Sequence, residues 1–222
     1  MDRAKSVPPE VVSPQWDSED PPPPTSGSHA HFRVDNQALA GVVNGEGKSD
    51  HQAVIESQIR LHEAFAVKHW FPFRLEDRFV HWRERKCNKA ADHLDGLVHR
   101  HEGSNLEWYK KATWASFVRR HQAGEINNLS FTSDGSMRGA QLSWACILWD
   151  RDFVDDMPRY RTVYGRAGVA PGSSAFDAEA EALWQAVQLF MELISGKICD
   201  GWCGWQADGV KCLDGDLPGS LS

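Results

Sequence analysis

Two blocks of this chain combine strands with helices, and in both blocks an acidic residue closes the first strand. In residues 129–196, three strand-like apolar stretches precede one long helix. In residues 31–100, the pattern is strand, helix, strand and helix. Strands and helices in such a mixture bury their apolar faces by packing helices against a sheet, so the chain is predicted to be an α/β protein.

The apolar periodicity and the turn signals give approximate bounds for each element. The predicted strands lie at 32–35, 79–83, 129–134, 143–150 and 159–165. The predicted helices lie at 38–43, 51–68 and about 175–195, with one more helix after Asn88. An acidic turn is predicted from Asp150 to Pro158, between the last two strands.

The segments outside the two blocks lack a regular pattern. Residues 1–30 contain a run of four prolines and few apolar side chains, and they are predicted to form a disordered, Pro-rich tail. Residues 101–128 are predicted to be a linker, partly helical around Trp108 to Val118. Residues 197–222 are predicted to be a flexible tail, whose three cysteines (Cys199, Cys203 and Cys212) lack the paired C-x-x-C spacing of a zinc site.

Composition narrows the class of protein. The chain has 41% hydrophobic and 25% charged residues, and its 222 residues suffice for one domain with a sizeable core. No stretch reaches the ~20 apolar residues that cross a bilayer, and no apolar signal sequence opens the chain. We therefore expect an intracellular protein of the nucleus or cytoplasm with no membrane partner. The net charge of −7 argues against a broad electrostatic nucleic-acid binder, although metal ions neutralise a carboxylate cluster locally.

Asp134 is the first candidate site residue. It ends a predicted strand and precedes Gly135, and an Asp-Gly pair alone is a common turn dipeptide. The hydrophobic strand and the acidic helix that follow favour a different interpretation, in which the carboxylate projects from the sheet into a site.

The long helix offers two acidic candidates, and helical geometry separates them. Glu179 lies three and four residues before the apolar Ala182 and Leu183, so it shares their core-facing stripe. Glu181 aligns instead with Gln185 on the polar face. Because a lone charge on a buried stripe is costly, Glu179 needs a role that offsets this cost, and metal ligation is one such role. The alternative is that Glu179 lies in a frayed first turn of the helix.

The first block supplies two further acids. Asp35 closes its strand and is followed by Asn36 and Gln37. Asp92 lies in the first turns of a helix for which Asn88 is the predicted N-cap. An acid near a helix N-terminus is also expected from the helix dipole alone, so neither acid identifies a site by itself.

Together these segments resemble the four acidic motifs of type 1 ribonuclease H, including its copies in retroelement polyproteins. The matching segments are Leu129-Ser-Phe-Thr-Ser-Asp-Gly-Ser136, Asp177-Ala-Glu-Ala-Glu-Ala-Leu183, Phe32-Arg-Val-Asp-Asn-Gln37 and Trp82-Arg-Glu-Arg-Lys-Cys-Asn-Lys-Ala-Ala-Asp-His-Leu94. In the family the order is Asp-Gly-Ser, helix Glu, strand Asp and Ala-Asp, whereas here the last two motifs come first. The resemblance implies a ribonuclease H-like mixed five-stranded sheet with flanking helices, in a circularly permuted order.

The resemblance also implies an activity, the metal-dependent hydrolysis of the RNA strand of an RNA–DNA hybrid. The catalytic residues, which are also the metal ligands, would be Asp134, Glu179, Asp35 and Asp92. They would hold two Mg²⁺ (or Mn²⁺) ions, which prefer oxygen ligands. The hybrid would be recognised through its minor groove and 2′-hydroxyls. The polar contacts would be Asn36, Gln37, Asn88 and Ser136. Some members of the family carry a histidine before the fourth acid, but residues 83–91 contain none.

The order of the motifs admits three interpretations. In the first, one domain is circularly permuted, and strand 32–35 pairs in parallel with strand 129–134. In the second, the blocks are pieces of two tandem domains, and Asp208 is the third acid of the second copy. In the third, the chain is a non-catalytic ribonuclease H-like remnant or a nucleic-acid- or protein-binding module. A different class of protein, such as a scaffold with a disordered tail or a protein-interaction domain, is a further alternative, and its best support is the ten tryptophans and the acidic net charge.

Overall fold

The computed structural model of the chain describes residues 28–67, 70–72, 78–101, 105–126, 128–154, 157–196 and 210–213. The strands in these ranges are β1 (Ser28–Val34), β2 (Trp70–Pro72), β3 (Val80–Trp82), β4 (Asn105–Trp108), β5 (Asn128–Arg138), β6 (Gln141–Val154), β7 (Met157–Val169) and β8 (Val210–Leu213). The α-helices are α1 (Gln37–Val43), α2 (Gln52–Val67), α3 (Lys89–Arg100), α4 (Lys111–Gln122) and α5 (Ala175–Ile194). A 3₁₀ turn, Arg85–Cys87, precedes α3. None of these helices is long and apolar enough to cross a membrane.

The described strands form one mixed sheet with helices packed on it, as expected of an α/β protein. The strand order is β2-β1-β5-β6-β7-β4-β8, and β3 pairs with the later residues of β1. The neighbours β5, β6 and β7 are antiparallel, whereas β1 is parallel to β5. The sheet is larger than the five strands predicted, because β4 and β8 extend it beyond β7 and because β2 adds a short strand beside β1.

β1 and β5, one from each sequence block, are parallel neighbours. Phe32 pairs with Phe131, and Arg33 pairs with Thr132. The predicted pairing of strand 32–35 with strand 129–134 is therefore confirmed, and the two blocks contribute to one sheet.

α5 covers one face of the sheet with its apolar stripe. Phe190 of this helix packs edge-on against Phe32 and Phe131, whose stacked ring centroids lie 4.9 Å apart. All three side chains are buried, and each buried phenylalanine contributes about 1.5–3 kcal/mol. This contact ties β1 and β5 to the helix that carries Glu179.

α3 covers the opposite face of the sheet. Successive residues of a strand point to opposite faces, so Leu148 of β6 belongs to the cluster under α5, whereas Ile147 belongs to the cluster under α3. Leu94 and Val98 of α3 lie in this second buried cluster. The central strands are thus covered on both sides, and the N-terminal end of α3 lies near Asp134 of β5.

Several predictions of local structure are corrected by long-range contacts. The predicted linker contains the strand β4, which ends at Trp108, whereas the helix predicted within the linker is present as α4. β8 lies within the predicted flexible tail and pairs in parallel with β4. Asp150, which was assigned to an acidic turn, is buried in β6, where its carboxylate binds Arg120 and Arg161 at 2.7 and 2.9 Å. These features depend on pairing between segments that are distant in sequence, and local periodicity cannot reveal such pairing.

Candidate metal centre

Three carboxylates from three elements meet beside the end of β1. Asp35 follows β1, Asp134 lies within β5, and Glu179 lies in the first turns of α5. One carboxylate oxygen of each residue lies within 4.8 Å of the other two. The pairing of Arg33 with Thr132 explains the contact between the strand acids, because Asp35 and Asp134 lie two residues further along these parallel strands.

Gly135 allows the acid on the helix to reach the acid on the strand. A Cβ atom on this residue would lie 2.3 Å from the carbonyl carbon of Ala178 and 2.3 Å from the nitrogen of Glu179. A residue without a side chain is therefore required for α5 to approach β5 this closely. The backbone N–H of Gly135 also opposes part of the rise in the pKa of Glu179. Because β5 continues to Arg138, the Asp-Gly pair permits close packing here and does not form a turn.

Burial places these acids in an environment that disfavours their charges. Asp134 is 1% exposed, and its burial, followed by the charges of Asp35, Asp95 and Asp92, raises its pKa from 3.8 to about 8. Burial, followed by the charges of Asp35 and Asp134, likewise holds the pKa of Glu179 well above its ordinary range. Carboxylates this close in a low-dielectric site must share protons or bind a cation.

Several buried oxygen atoms around these acids have no hydrogen-bond partner among the described residues. They are Asp134 Oδ2, Glu179 Oε2, Asn88 Oδ1 and Asp95 Oδ1. Buried polar atoms are normally hydrogen-bonded, and oxygen atoms are the ligands that Mg²⁺ and Mn²⁺ prefer. The donor set therefore fits a hard divalent cation held by Asp35, Asp134 and Glu179.

Asp92, the predicted fourth ligand, lies outside this group. Its side chain is 48% exposed, and Nη2 of Arg85 donates to Asp92 Oδ1 at 2.8 Å. Nε of the same arginine lies 4.0 Å from Asp35 Oδ2. Asp92 is thus not among the three acids that lie within 4.8 Å of one another, and an arginine from the preceding 3₁₀ turn pairs with it.

The two predicted polar contacts next to Asp35 lie at the start of α1. The side-chain oxygen of Asn36 accepts a hydrogen bond from the Leu39 N–H at 3.0 Å and caps this helix. Gln37 is the first residue of the helix and is exposed. Gln37 is therefore better placed than Asn36 to contact a bound molecule.

α3 brings further polar side chains to Asp134. Asn88, the predicted N-cap, makes no capping hydrogen bond with its side chain. It donates instead to the Ser133 carbonyl at 2.7 Å and to Asp134 Oδ1 at 3.4 Å. Asp95, which is 1% exposed, accepts a hydrogen bond from Ser136. Asp95 was not among the predicted site residues, although its place one helical turn after the Ala-Asp motif was a usable signal.

Glu179 and Glu181 of α5 have different surroundings. Glu179 joins the carboxylate cluster, whereas Glu181 lies outside it and accepts a hydrogen bond from Gln185 at 2.7 Å. The difference follows the helical stripe on which Glu179 was selected.

The metal-free protein is expected to lose stability as the pH rises. Folding raises the pKa of Asp134 from 3.8 to about 8, so this residue favours the folded state below its unfolded pKa, and the contribution is lost as pH rises through the folded pKa. Each pH unit of that window corresponds to at most about 1.4 kcal/mol. Urea denaturation in EDTA at about pH 5 and about pH 8 should show that the free energy of unfolding falls more for wild type than for Asp134→Asn. Equal declines in the free energy of unfolding of the two proteins would contradict the raised pKa of Asp134.

Divalent cations are expected to stabilise the folded chain. An ion that binds only the folded state adds about 2.7 kcal/mol at 100 times its Kd, or about 5–10 °C in Tm for a chain of this size. Thermal unfolding with Mg²⁺ or Mn²⁺ measures the shift. Asp134→Asn and Glu179→Gln should lose most of it, whereas the control Glu181→Gln should keep it. Equal loss in all three variants would show that the three acids hold no specific site.

The chain matches no protein-family model and no curated protein sequence at a significant level. Its chemistry is therefore inferred from the site itself.

Proposed function

We propose that this chain is a metal-dependent endoribonuclease that hydrolyses the RNA strand of RNA–DNA hybrids. The observation that carries the proposal is the convergence of Asp35, Asp134 and Glu179 within 4.8 Å. Buried oxygen atoms without hydrogen-bond partners in the described residues surround the cluster. Carboxylates gathered in this way hold cations that activate water against phosphodiesters.

The topology supports the same proposal. The Asp-Gly-Ser and strand-Asp acids lie on or next to adjacent parallel strands, β5 and β1, as the resemblance to type 1 ribonuclease H implies. The helix acid follows β7 on α5. A circularly permuted ribonuclease H-like fold accounts for this arrangement, because each block supplies strands and acids that the other lacks. The parallel pairing of β1 with β5 favours this interpretation over pieces of two tandem domains.

Hydrolysis of the RNA strand adds one water molecule across a phosphodiester bond. The water oxygen bonds to phosphorus, the bond from phosphorus to the leaving ribose oxygen breaks, and that oxygen takes up a proton. A bound divalent cation supplies Lewis acidity that activates water and offsets charge on the phosphate. Asp35 and Asp134 would bind and orient this cation from adjacent strands. The close approach of Gly135 to the backbone of Glu179 would keep the third carboxylate beside these two acids.

Recognition of the hybrid would depend on contacts close to the site. The net charge of −7 gives the chain little general attraction for nucleic acids. The 2′-hydroxyl groups distinguish the RNA strand from DNA, and the exposed Gln37, two residues after Asp35, is placed to contact one.

A substrate panel tests the proposal. In Mg²⁺, the purified chain should cut the RNA strand of a hybrid and leave duplex DNA intact, and EDTA should stop the reaction. Denaturing gel electrophoresis of end-labelled strands separates these outcomes. Cleavage of duplex DNA at a comparable rate, or RNA cleavage that persists in EDTA, would refute the proposed activity.

A second candidate function is a binding module that keeps the fold without turnover. The observation that favours it is the pairing of Asp92 with Arg85, which leaves only three acids in the cluster among the described residues. This candidate requires hybrid binding without cleavage in either Mg²⁺ or Mn²⁺. Fluorescence anisotropy of a labelled hybrid, measured beside the cleavage assay, separates the two functions.

A further inference from the structure

Arg85 forms an ion pair with Asp92 and lies 4.0 Å from Asp35, whereas the two-cation site implied by the resemblance would need a second cation beside these acids. We propose that its guanidinium takes the place of that cation, so that the chain holds one divalent ion and uses Arg85 against the substrate phosphate. The inference rests on the proposed ribonuclease function. It concerns how many cations that function uses.

The guanidinium joins the carboxylate cluster to the acid that lies outside it. Its Nη2 lies 2.8 Å from Asp92 Oδ1, and its Nε lies 4.0 Å from Asp35 Oδ2. Its charge also opposes the rise in the pKa of Asp134. The positive charge of Arg85 therefore acts on Asp134 as well as on its ion-pair partner Asp92.

The exposure of Arg85 suits a role toward substrate. Its side chain is 69% exposed, whereas that of Asp35 is 8% exposed. Part of the guanidinium thus contacts carboxylates, and the remainder faces the solvent from which a nucleic acid would approach. An exposed Arg–Asp pair adds only about 0–1 kcal/mol to stability, so fold stability is a weak reason for this arrangement. A planar guanidinium binds two phosphate oxygens at once through parallel N–H donors.

The position of Arg85 limits how many cations can bind. A divalent ion bound by both Asp92 and Asp35 would lie close to the positive charge of Arg85, and repulsion between charges at short range is strong. The second position should therefore fill far more readily when the arginine is removed. Arg83 offers a matched control, because it is also exposed and no ion pair joins its side chain to an acid in the described part of the chain.

Counting bound cations tests the inference. Titration of the full chain with Mn²⁺, followed by electron paramagnetic resonance of the free ion, should give about one bound ion for wild type and for Arg83→Gln. Arg85→Gln should bind about two ions, because Asp92 and Asp35 then lack a counter-charge. Circular dichroism establishes that all three proteins are folded.

The cation dependence of cleavage gives an independent readout. Below saturation, the rate should rise with about the first power of Mg²⁺ concentration for wild type and about the second power for Arg85→Gln. Two bound ions in wild type, or one in Arg85→Gln, would overturn the inference and leave the ribonuclease proposal standing. A folded wild-type chain that binds no Mn²⁺ would remove both.

Discussion

Replacing Gly135 by alanine is expected to lower the free energy of unfolding by about 3 kcal/mol. The added Cβ would lie 2.3 Å from backbone atoms of Ala178 and Glu179. Backbone cannot rotate away as the end of a flexible side chain can, so α5 and β5 would have to separate. Urea denaturation measures the effect as a lower midpoint with an unchanged slope.

Gly96→Ala is the matched control for this substitution. Gly96 lies in α3, and an added Cβ would meet the end of the Arg138 side chain at 3.4 Å, an ordinary contact. Alanine is favoured over glycine inside a helix by about 1 kcal/mol, so this variant should equal or exceed wild type in stability. A Gly135→Ala protein as stable as the control would show that the fold does not need the close approach of α5 to β5.

Gly135→Ala is also expected to reduce cleavage where the variant still folds. Separation of α5 from β5 would carry Glu179 away from Asp35 and Asp134, and a displacement of ~1 Å can cost about 100-fold in rate. Activity at the wild-type level in a folded variant would indicate that Glu179 does not act in the site.

Periodicity indicated which face of its element each acid of the cluster occupies, and the resemblance to the ribonuclease H motifs selected these acids as one set. Glu179 precedes the buried Ala182 and Leu183 on one stripe of α5, and it reaches the cluster. Asp35 and Asp134 each follow a buried apolar stretch of strand, and the two strands are neighbours. Helical stripes and apolar strand stretches are local properties that sequence reveals, whereas the predicted strand end at Asp134 was wrong because β5 continues to Arg138.

Charge pairing between segments was not accessible from local pattern. Whether Asp92 faces the cluster or binds Arg85 depends on where one exposed arginine side chain lies. Asp150 reads as a turn residue, yet it is buried because Arg120 reaches it from α4. These outcomes depend on tertiary position, which hydrophobic period and composition do not encode.

Asp134→Asn is expected to lower the rate of RNA-strand cleavage at least about 1,000-fold. Its carboxylate lies within 4.8 Å of both Asp35 and Glu179, and the amide removes its charge while conserving its shape. Because burial raises the pKa of this carboxyl to about 8, the metal-free variant should be at least as stable as wild type above neutral pH. Loss of activity is thereby separated from loss of fold.

The most direct measurement is the initial rate of RNA-strand cleavage in an RNA–DNA hybrid at saturating Mg²⁺, for wild type and Asp134→Asn. Circular dichroism should first show that both proteins are folded. If Asp35, Asp134 and Glu179 hold a catalytic cation, the wild type should cleave the hybrid and the variant should not. A folded wild-type chain that cuts no hybrid in Mg²⁺ or Mn²⁺ would contradict this function, as would a variant that cuts at the wild-type rate.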